Sequence, residues 1–163
     1  MTKICLGMEL LLQQWPASQN NFSPIPTDAA EAAENAPGVE AVASVRTGEA
    51  LVYGEPTFVT AVTPNSGDAL QLDWKDGSQA VFADLGADGA IVDDGFADDH
   101  NLTLGSPIRI TTPAGKTLDL TVRGIFDPPA GGSPFGEVTF SSETFDTNYD
   151  QPQNLFSFVS ASG

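Results

Sequence analysis

Residues 90–126, AIVDDGFADDHNLTLGSPIRITTPAGKTLDLTVRGIF, decide how this chain folds. In the second half of this stretch, apolar and polar side chains alternate on both sides of Pro113-Ala114-Gly115, which is the pattern of two antiparallel strands joined by a tight turn. Proline presets the first residue of a type I turn, and glycine readily takes the left-handed conformation that the following bulge needs. The stretch therefore predicts a β-hairpin.

The turn also predicts the register of this hairpin. Counting outward from it, apolar residues meet apolar residues on the buried face, and a positive residue meets a negative one on the exposed face. The predicted pairs are Ile108 with Leu120, Ile110 with Leu118, and Arg109 with Asp119. A slip of one residue would turn one apolar set to solvent, so the turn chemistry and the alternation support the same register.

The first half of the stretch predicts a short strand and a short helix. Residues 90–92 are apolar, and Asp93 or Asp94 is a good N-cap for a helix that begins just after them. Asn101 can end that helix in the left-handed conformation. One side of this helix carries Phe96, Ala97 and His100.

The remainder of the chain predicts further short elements around the hairpin. A helix capped by Thr27 ends at Pro37-Gly38, and Ser141 or Ser142 starts another. The predicted strands lie at 39–46, 50–54, 57–63, 138–140 and 155–159, with a strand or an irregular arm at 70–74. The expected class is α+β, with mostly antiparallel short strands in mixed sheets and two or three short helices outside.

The charge composition excludes several classes of partner. Acidic residues outnumber lysine and arginine 22 to 6, the net charge is −16, and the basic residues are scattered. Nucleic acid is not expected as a partner because phosphate neutralisation needs a basic face, and anionic lipid headgroups would be repelled. The composition favours the acidic, soluble surface of an exported or salt-tolerant protein, with no apolar run approaching the roughly 18 residues of a membrane helix.

The residues needed for catalysis are scarce. Cys5 is the only cysteine, so it cannot form an intramolecular disulfide. His100 is the only histidine, so any Ser/His/Asp triad would have to use it, and no Gly-x-Ser-x-Gly motif is present. We therefore predict no catalytic residue and no cofactor, with His100 as a capping or surface residue at a helix end.

One dense group of possible metal ligands precedes the hairpin. It consists of Asp93, Asp94, Asp98, Asp99 and His100. A hard cation such as calcium binds oxygen ligands of this kind, but the spacing is not that of an EF-hand loop and suits a capped helix. We predict no metal site here. Trp74 is predicted to be a packing residue, with a half-exposed contact to a partner as the alternative.

The order of the segments resembles a known family. The segments are FADDHNLTLGS at 96–106, an I-x-I strand at 108–110, PAGK at 113–116, LTVRGIFD at 120–127 and, upstream, APGVEAVASV at 36–45. Together they resemble the MacB-like periplasmic core domain of FtsX-like ABC-transporter permeases, over roughly residues 23–160. The resemblance implies a non-catalytic domain on the extracytoplasmic face of the cell membrane that couples to a substrate or a partner protein. It also implies the rest of the permease and a separate ATPase as partners, in export of peptides, lipoproteins or amphiphiles, or in signalling to wall hydrolases.

The resemblance also divides the chain. Residues 22–163 are expected to form the permease-type domain, incomplete at its C-terminus if the family pattern continues. Residues 1–21 do not match the family, which would place a membrane helix and then a strand here. We expect them to be loosely packed or an artefact of the gene start, with a replacement strand or a short amphipathic element at 10–15 as the alternative.

A second interpretation of the function is a free-standing binding module or a small enzyme. A free-standing binding module or small enzyme with a double-psi-like barrel also carries A-x-x-x-x-L-x-x-G before a hairpin. Membrane segments flanking this stretch in the gene would favour the permease.

Overall fold

The computed structural model describes residues 2–5, 25–130, 133, 135–150 and 154–161, which form a mixed β-sheet of nine strands with five short helices beside it. The strands are β1 (Thr2–Cys5), β2 (Val39–Val52), β3 (Glu55–Val62), β4 (Asp73–Asp76), β5 (Gly89–Asp93), β6 (Pro107–Thr111), β7 (Thr117–Asp127), β8 (Val138–Ser141) and β9 (Asn154–Ala161). The helices are α1 (Thr27–Glu34), α2 (Ser66–Ala69), α3 (Val81–Asp84), α4 (Asp94–Asp99) and α5 (Ser142–Asn148). The predicted α+β class with short-stranded mixed sheets is confirmed.

Six of the strands close into a ring. Along the sheet the order is β1, β9, β2, β3, β8, β5, β7, β4, and β6 joins β7 to β2, which closes the ring. Its neighbours are antiparallel except for β3 with β8 and β5 with β7. The ring encloses the main core, whose buried members include Val52, Val59, Val92, Ile108, Ile110, Leu120, Val138 and Phe140.

A second apolar cluster packs on the other face of the same strands. Successive residues point to opposite faces of a strand. Ile125 accordingly joins the ring core while Phe126 joins the second cluster. The buried side chains of this second cluster include Phe82, Leu85, Phe126 and Phe135. The central strands are therefore buried on both sides, by the ring core on one face and by the second cluster on the other.

The predicted hairpin register is confirmed. Across β6 and β7 the structure pairs Ile108 with Leu120, Arg109 with Asp119 and Ile110 with Leu118. Gly115 has a φ of 78°, the left-handed value that the turn requires. The Arg109 Nε donates to Asp119 Oδ1 at 2.6 Å on the exposed face. Local turn chemistry and alternation were sufficient to specify this element.

Two of the predicted caps are confirmed and one is wrong. Asp93 caps α4 by accepting from the Phe96 N–H at 2.6 Å, and Ser141 caps α5 by accepting from the Thr144 N–H at 3.2 Å. The helix predicted to be capped by Thr27 instead begins at that residue, with Pro26 at the N-cap. Pro26 is extended, with φ −56° and ψ 143°, so the chain enters the helix one residue earlier than the polar-cap pattern predicts.

The predicted break between residues 46 and 50 is wrong, because β2 runs through it. Gly48 pairs with Val59 in the middle of the β2–β3 ladder. A methyl group at Gly48 would lie 2.8 Å from Cε1 of Tyr149, so this glycine makes room for a ring rather than for a turn. The turn lies at Tyr53-Gly54, whose φ values of 52° and 86° are those of a type I′ turn, and the expected turn at Glu55-Pro56 is part of β3.

The region between β3 and β5 is less regular than predicted. The expected strand or arm at 70–74 becomes β4, which starts at Asp73 and pairs with β7. The single-turn helices α2 and α3 were not predicted. Four-residue helices form here because their few apolar side chains, Ala69 and Phe82 among them, are buried in the second cluster.

Residues 2–5 belong to the same sheet as the rest of the chain. β1 pairs antiparallel with β9, with Thr2 opposite Ala161 and Cys5 opposite Phe158. How residues 1–21 pack as a segment stays a prediction, because the structure describes only these four of them. The possible strand or short amphipathic element at 10–15 lies outside the described residues.

Candidate functional site

His100 lies at the exposed C-terminal end of α4, among aromatic rings. Its ring centroid is 4.4 Å from that of Phe96 and 4.7 Å from that of Tyr53, and the Tyr53 and His100 rings are stacked. Burial raises the pKa of the Tyr53 hydroxyl, which donates to the Pro107 carbonyl at 3.4 Å. This geometry packs the β2–β3 turn against α4.

The acidic residues around His100 make separate contacts. Asp93 caps α4, while Asp98 forms an ion pair with the Lys75 ammonium, whose Nζ lies 3.0 Å from Oδ1. Within the part of the chain that the structure describes, no group of three or more His, Cys, Asp or Glu residues is arranged to hold a metal ion. The absence of a metal site here stays a prediction.

A calcium titration tests that prediction. We expect the melting temperature to stay unchanged as calcium rises to millimolar concentration, because Asp93 and Asp98 already serve in the cap and the ion pair. Specific binding at a hundredfold excess over Kd would add about 2.7 kcal/mol to the free energy of unfolding. A saturable rise in melting temperature at sub-millimolar calcium, lost in Asp98→Asn, would contradict the prediction.

The pKa of the Asp93 carboxyl is raised in the folded protein. Burial raises its pKa above the ordinary value, the N–H groups of Phe96 and Gly95 oppose that shift, and the nearby Asp94 and Asp99 carboxylates add to it. The folded protein therefore favours the protonated form of Asp93 more than the unfolded chain does. The stability from protonated Asp93 is fully present below the ordinary carboxyl pKa and is lost as the pH rises through the raised value.

Asp93→Asn should reveal this pH dependence. Asparagine caps helices about as well as aspartate and stays neutral, so the stability of the variant relative to the natural protein should increase as the pH rises through that window. Urea unfolding at a series of pH values measures the difference. Asp93→Ala is the control. Because it loses the cap, its free energy of unfolding should be about 0.5–2 kcal/mol lower than that of Asp93→Asn at every pH. A pH-independent difference between Asp93→Asn and the natural protein would refute the assignment.

Trp74 is mainly a packing residue. Its Nε1 donates to Gln79 Oε1 at 3.0 Å, and its ring meets the edge of Phe82 at a centroid distance of 5.8 Å. A methyl group at Gly124 would lie 2.5 Å from Trp74 Cζ3, so the ring lies directly on the backbone of β7. These contacts fix the indole within the second cluster.

A largely buried guanidinium joins β2 to α5. The Arg46 side chain is 11% exposed, and its Nε lies 3.0 Å from Asp146 Oδ1. Burial raises the pKa of the Asp146 carboxyl, and the charge of Arg46 partly offsets that effect. Buried charges often mark functional sites, but this pair lies between two packed elements and has a structural role in holding α5 on the ring.

The outer face of the β2–β3 hairpin carries an exposed apolar surface, the hairpin patch, formed by Leu51, Pro56 and Phe58. Leu51 lies opposite Pro56 in the ladder, and Phe58 lies on the same face one pair further along. The side chains of Leu51 and Phe58 are 45% and 49% exposed. The ring core lies on the opposite face of the same two strands, so these apolar side chains are additional to those that the fold buries.

Two carboxylates lie beside the hairpin patch. Glu49 lies opposite Phe58 on the same face, and Glu137 directly precedes β8, whose Val138 pairs with Val59, the neighbour of Phe58. Both are exposed. The patch thus has an apolar centre with a negative edge.

The sequence predictions did not include this surface, although a signal for it was present. Residues 50–53 read Ala-Leu-Val-Tyr, and Phe58 is followed by Val59, so both strands have apolar residues at successive positions rather than only at alternate ones. In a strand, such a run places apolar side chains on both faces. Only the pairing shows which face is covered by the core.

The two chain-end strands lie side by side. β9 pairs with β1 along one edge and with β2 along the other, and Ala161 lies opposite Thr2. In the residues that the structure describes, no helix is long and apolar enough to cross a membrane.

Comparisons with known proteins agree with this architecture. The sequence profile of the MacB-like periplasmic core domain matches residues 7–162. A search of curated protein sequences found no match.

Three solved structures have the same fold. The extracellular domain of the ABC-type transporter YknZ from Gram-positive bacteria shares 16% identity at a TM-score of 0.60, over 88% of this chain and 76% of its own. A domain of a permease protein from Porphyromonas gingivalis shares 17% identity at a TM-score of 0.59, over 86% of this chain and 70% of its own. The periplasmic region of MacB from Actinobacillus actinomycetemcomitans shares 12% identity at a TM-score of 0.58, over 92% of this chain and 69% of its own.

Proposed function

The chain belongs to the family of MacB-like periplasmic core domains, and from this membership we propose that it couples an ABC-transporter permease to a substrate or partner protein on the outer side of the membrane. Domains of this family are the extracytoplasmic parts of such permeases. The observation that carries the proposal is the match to the family profile over residues 7–162, which is nearly the whole chain. The ATPase that drives such a permease is then a partner, as a separate chain or domain.

The side-by-side position of β1 and β9 supports this role. β1 and β9 are antiparallel neighbours, so a connection before β1 and a connection after β9 would leave the sheet at the same edge, as in a domain that membrane helices flank.

The sheet offers a mechanical path from these ends to the hairpin patch. β2 pairs with β9 over its first half and forms the β2–β3 hairpin with its second half. Its 14 residues span about 45 Å at roughly 3.3 Å each. A close-packed sheet moves as a unit, so a displacement of the ends would move the patch, and a partner at the patch would favour one position of the ends.

We propose that the domain has no catalytic activity of its own. The lone His100 packs on Tyr53 and Phe96, and the Asp93 and Asp98 carboxylates make a cap and an ion pair. None of the comparisons favours the alternative of a free-standing binding module or small enzyme.

Sequencing the complete gene tests the proposed function. We expect one membrane helix ahead of the domain and further membrane helices after it, with an ATPase encoded in the same gene or beside it. A complete reading frame without any membrane helix would contradict the proposal and favour the binding-module or enzyme alternative.

The purified chain should neither bind nor hydrolyse ATP. No phosphate-binding loop motif occurs in the sequence, and the acidic surface repels a nucleotide triphosphate. Isothermal titration with Mg-ATP and a phosphate-release assay measure the two properties. Saturable ATP binding would show that the nucleotide site is not confined to a separate ATPase.

A further inference from the structure

We propose that the hairpin patch is a docking surface for a cationic segment of a partner protein. Apolar side chains of that segment would cover Leu51, Pro56 and Phe58, and its lysine or arginine side chains would pair with Glu49 and Glu137. This inference rests on the proposed function, because it identifies the chemistry of the partner that the domain meets outside the membrane.

The patch is contiguous rather than a scatter of single exposed residues. Residues directly opposite in an antiparallel pair have Cβ atoms about 5 Å apart, and diagonal neighbours lie about 7–8 Å apart. Leu51 and Pro56 are such a pair, and Phe58 is diagonal to Leu51. Single exposed apolar residues are normal, whereas neighbouring ones mark contact surfaces.

The patch is also preformed. Directly beneath it Val52 and Val59 are buried in the ring core. The loop before β8 packs on the backbone of Phe58, where a methyl group at Gly136 would lie 2.2 Å from the Phe58 carbonyl oxygen. Tyr53, stacked on His100, holds the turn against α4. A partner would therefore not have to order this surface, which lowers the entropic cost of binding.

The carboxylates at its edge are available for a partner. Across the described ranges, the four ion pairs within 4 Å use Asp88, Asp98, Asp119 and Asp146. None of them uses Glu49 or Glu137. Exposed carboxylates around an apolar centre complement a segment with a basic edge and an apolar middle.

The charge of the chain selects among the possible occupants. A net charge of −16 opposes the docking of a second copy and repels an anionic lipid surface. A cationic protein segment would instead be attracted from a distance and then held by the apolar contacts. The observations therefore favour a cationic protein segment as the occupant.

The probe for this proposal is a short synthetic peptide in which lysine alternates with leucine, titrated into the 163-residue chain. Two control peptides replace lysine by glutamate or leucine by serine. Fluorescence anisotropy gives the affinities, and amide shifts in nuclear magnetic resonance spectra locate the contact. We expect saturable binding of the lysine–leucine peptide alone, weakened by salt, with shifts concentrated at residues 49–58 and 137.

Matched variants separate the patch from the general charge of the protein. Leu51→Ser with Phe58→Ser should weaken binding at least about tenfold, because buried apolar contacts at the centre of an interface each exceed about 1 kcal/mol. Leu104→Ser is the control, because Leu104 is 48% exposed and lies outside the patch. Glu49→Gln with Glu137→Gln should weaken binding and flatten its salt dependence, whereas the same changes at Glu31 and Glu34 should not.

The proposal is overturned if the shifts lie elsewhere, if the patch variants bind as the natural chain does, or if both glutamate pairs weaken binding equally. Self-association that Leu51→Ser abolishes would also overturn it, because the occupant would then be a second copy. These failures would leave the permease assignment intact, because that assignment depends on the membrane helices in the gene.

Discussion

Leu120→Ala is expected to lower the free energy of unfolding by about 2–5 kcal/mol. Leu120 is 2% exposed and lies opposite Ile108 inside the ring of strands. Its removal leaves a cavity bounded by strands that are paired on both sides, which cannot move inward without breaking their ladders. Loss of this much stability would remove a large part of the margin of a domain of this size.

Leu104→Ala is the matched control for that prediction. It deletes the same atoms from a side chain that is 48% exposed, so a change within about 0.5 kcal/mol is expected. Urea denaturation with unchanged m-values measures both variants. Equal losses for the two leucines would show that the ring interior is not the main core.

Gly89→Ala is expected to lower the free energy of unfolding by about 1–3 kcal/mol or more, although it adds only one methyl group. That methyl would lie 2.3 Å from the Leu85 carbonyl oxygen and 2.8 Å from its Cα. Both are backbone atoms, and the same carbonyl accepts from the Gly89 N–H at 2.7 Å. The clash could be relieved only by shifting the start of β5 away from its parallel partner Thr121.

Gly95→Ala provides the contrast. In α4 the added methyl meets one side-chain atom, Asp93 Oδ1, at 3.3 Å, and alanine is favoured over glycine in a helix by about 0.5–1 kcal/mol. We expect little loss or a small gain of stability. If Gly89→Ala had the same melting temperature as Gly95→Ala, β5 would be free to shift.

Parts of the fold could be predicted because they depend on neighbouring residues. The β6–β7 register follows from Pro113-Ala114-Gly115 and from alternation within a few residues of it. The cap at Asp93 and the left-handed Asn101, with its φ of 53°, are likewise local. The family was predicted from the order of such segments, which does not require knowledge of how they pair.

The error at Gly48 falls where distant residues meet. Gly48 has the local character of a turn residue, but the rings of Tyr149 and Phe145 require a residue without a side chain at that position in β2. Thr47 and Gly48 therefore continue the strand, and the turn is displaced to Tyr53-Gly54. The hairpin patch could not be predicted for the same reason, because two adjacent apolar strands do not reveal which of their faces the core will cover.

The sequence by itself determined the β6–β7 hairpin, the caps at Asp93 and Ser141, the α+β class and the family, because periodicity and turn chemistry act over a few residues. The tertiary structure decided the parallel pairs of β3 with β8 and β5 with β7, the closure of the ring through β6, and the exposure of Leu51 and Phe58. Those features depend on contacts between segments far apart in the chain. Each is fixed only when the whole sheet closes and its apolar faces compete for the same interior.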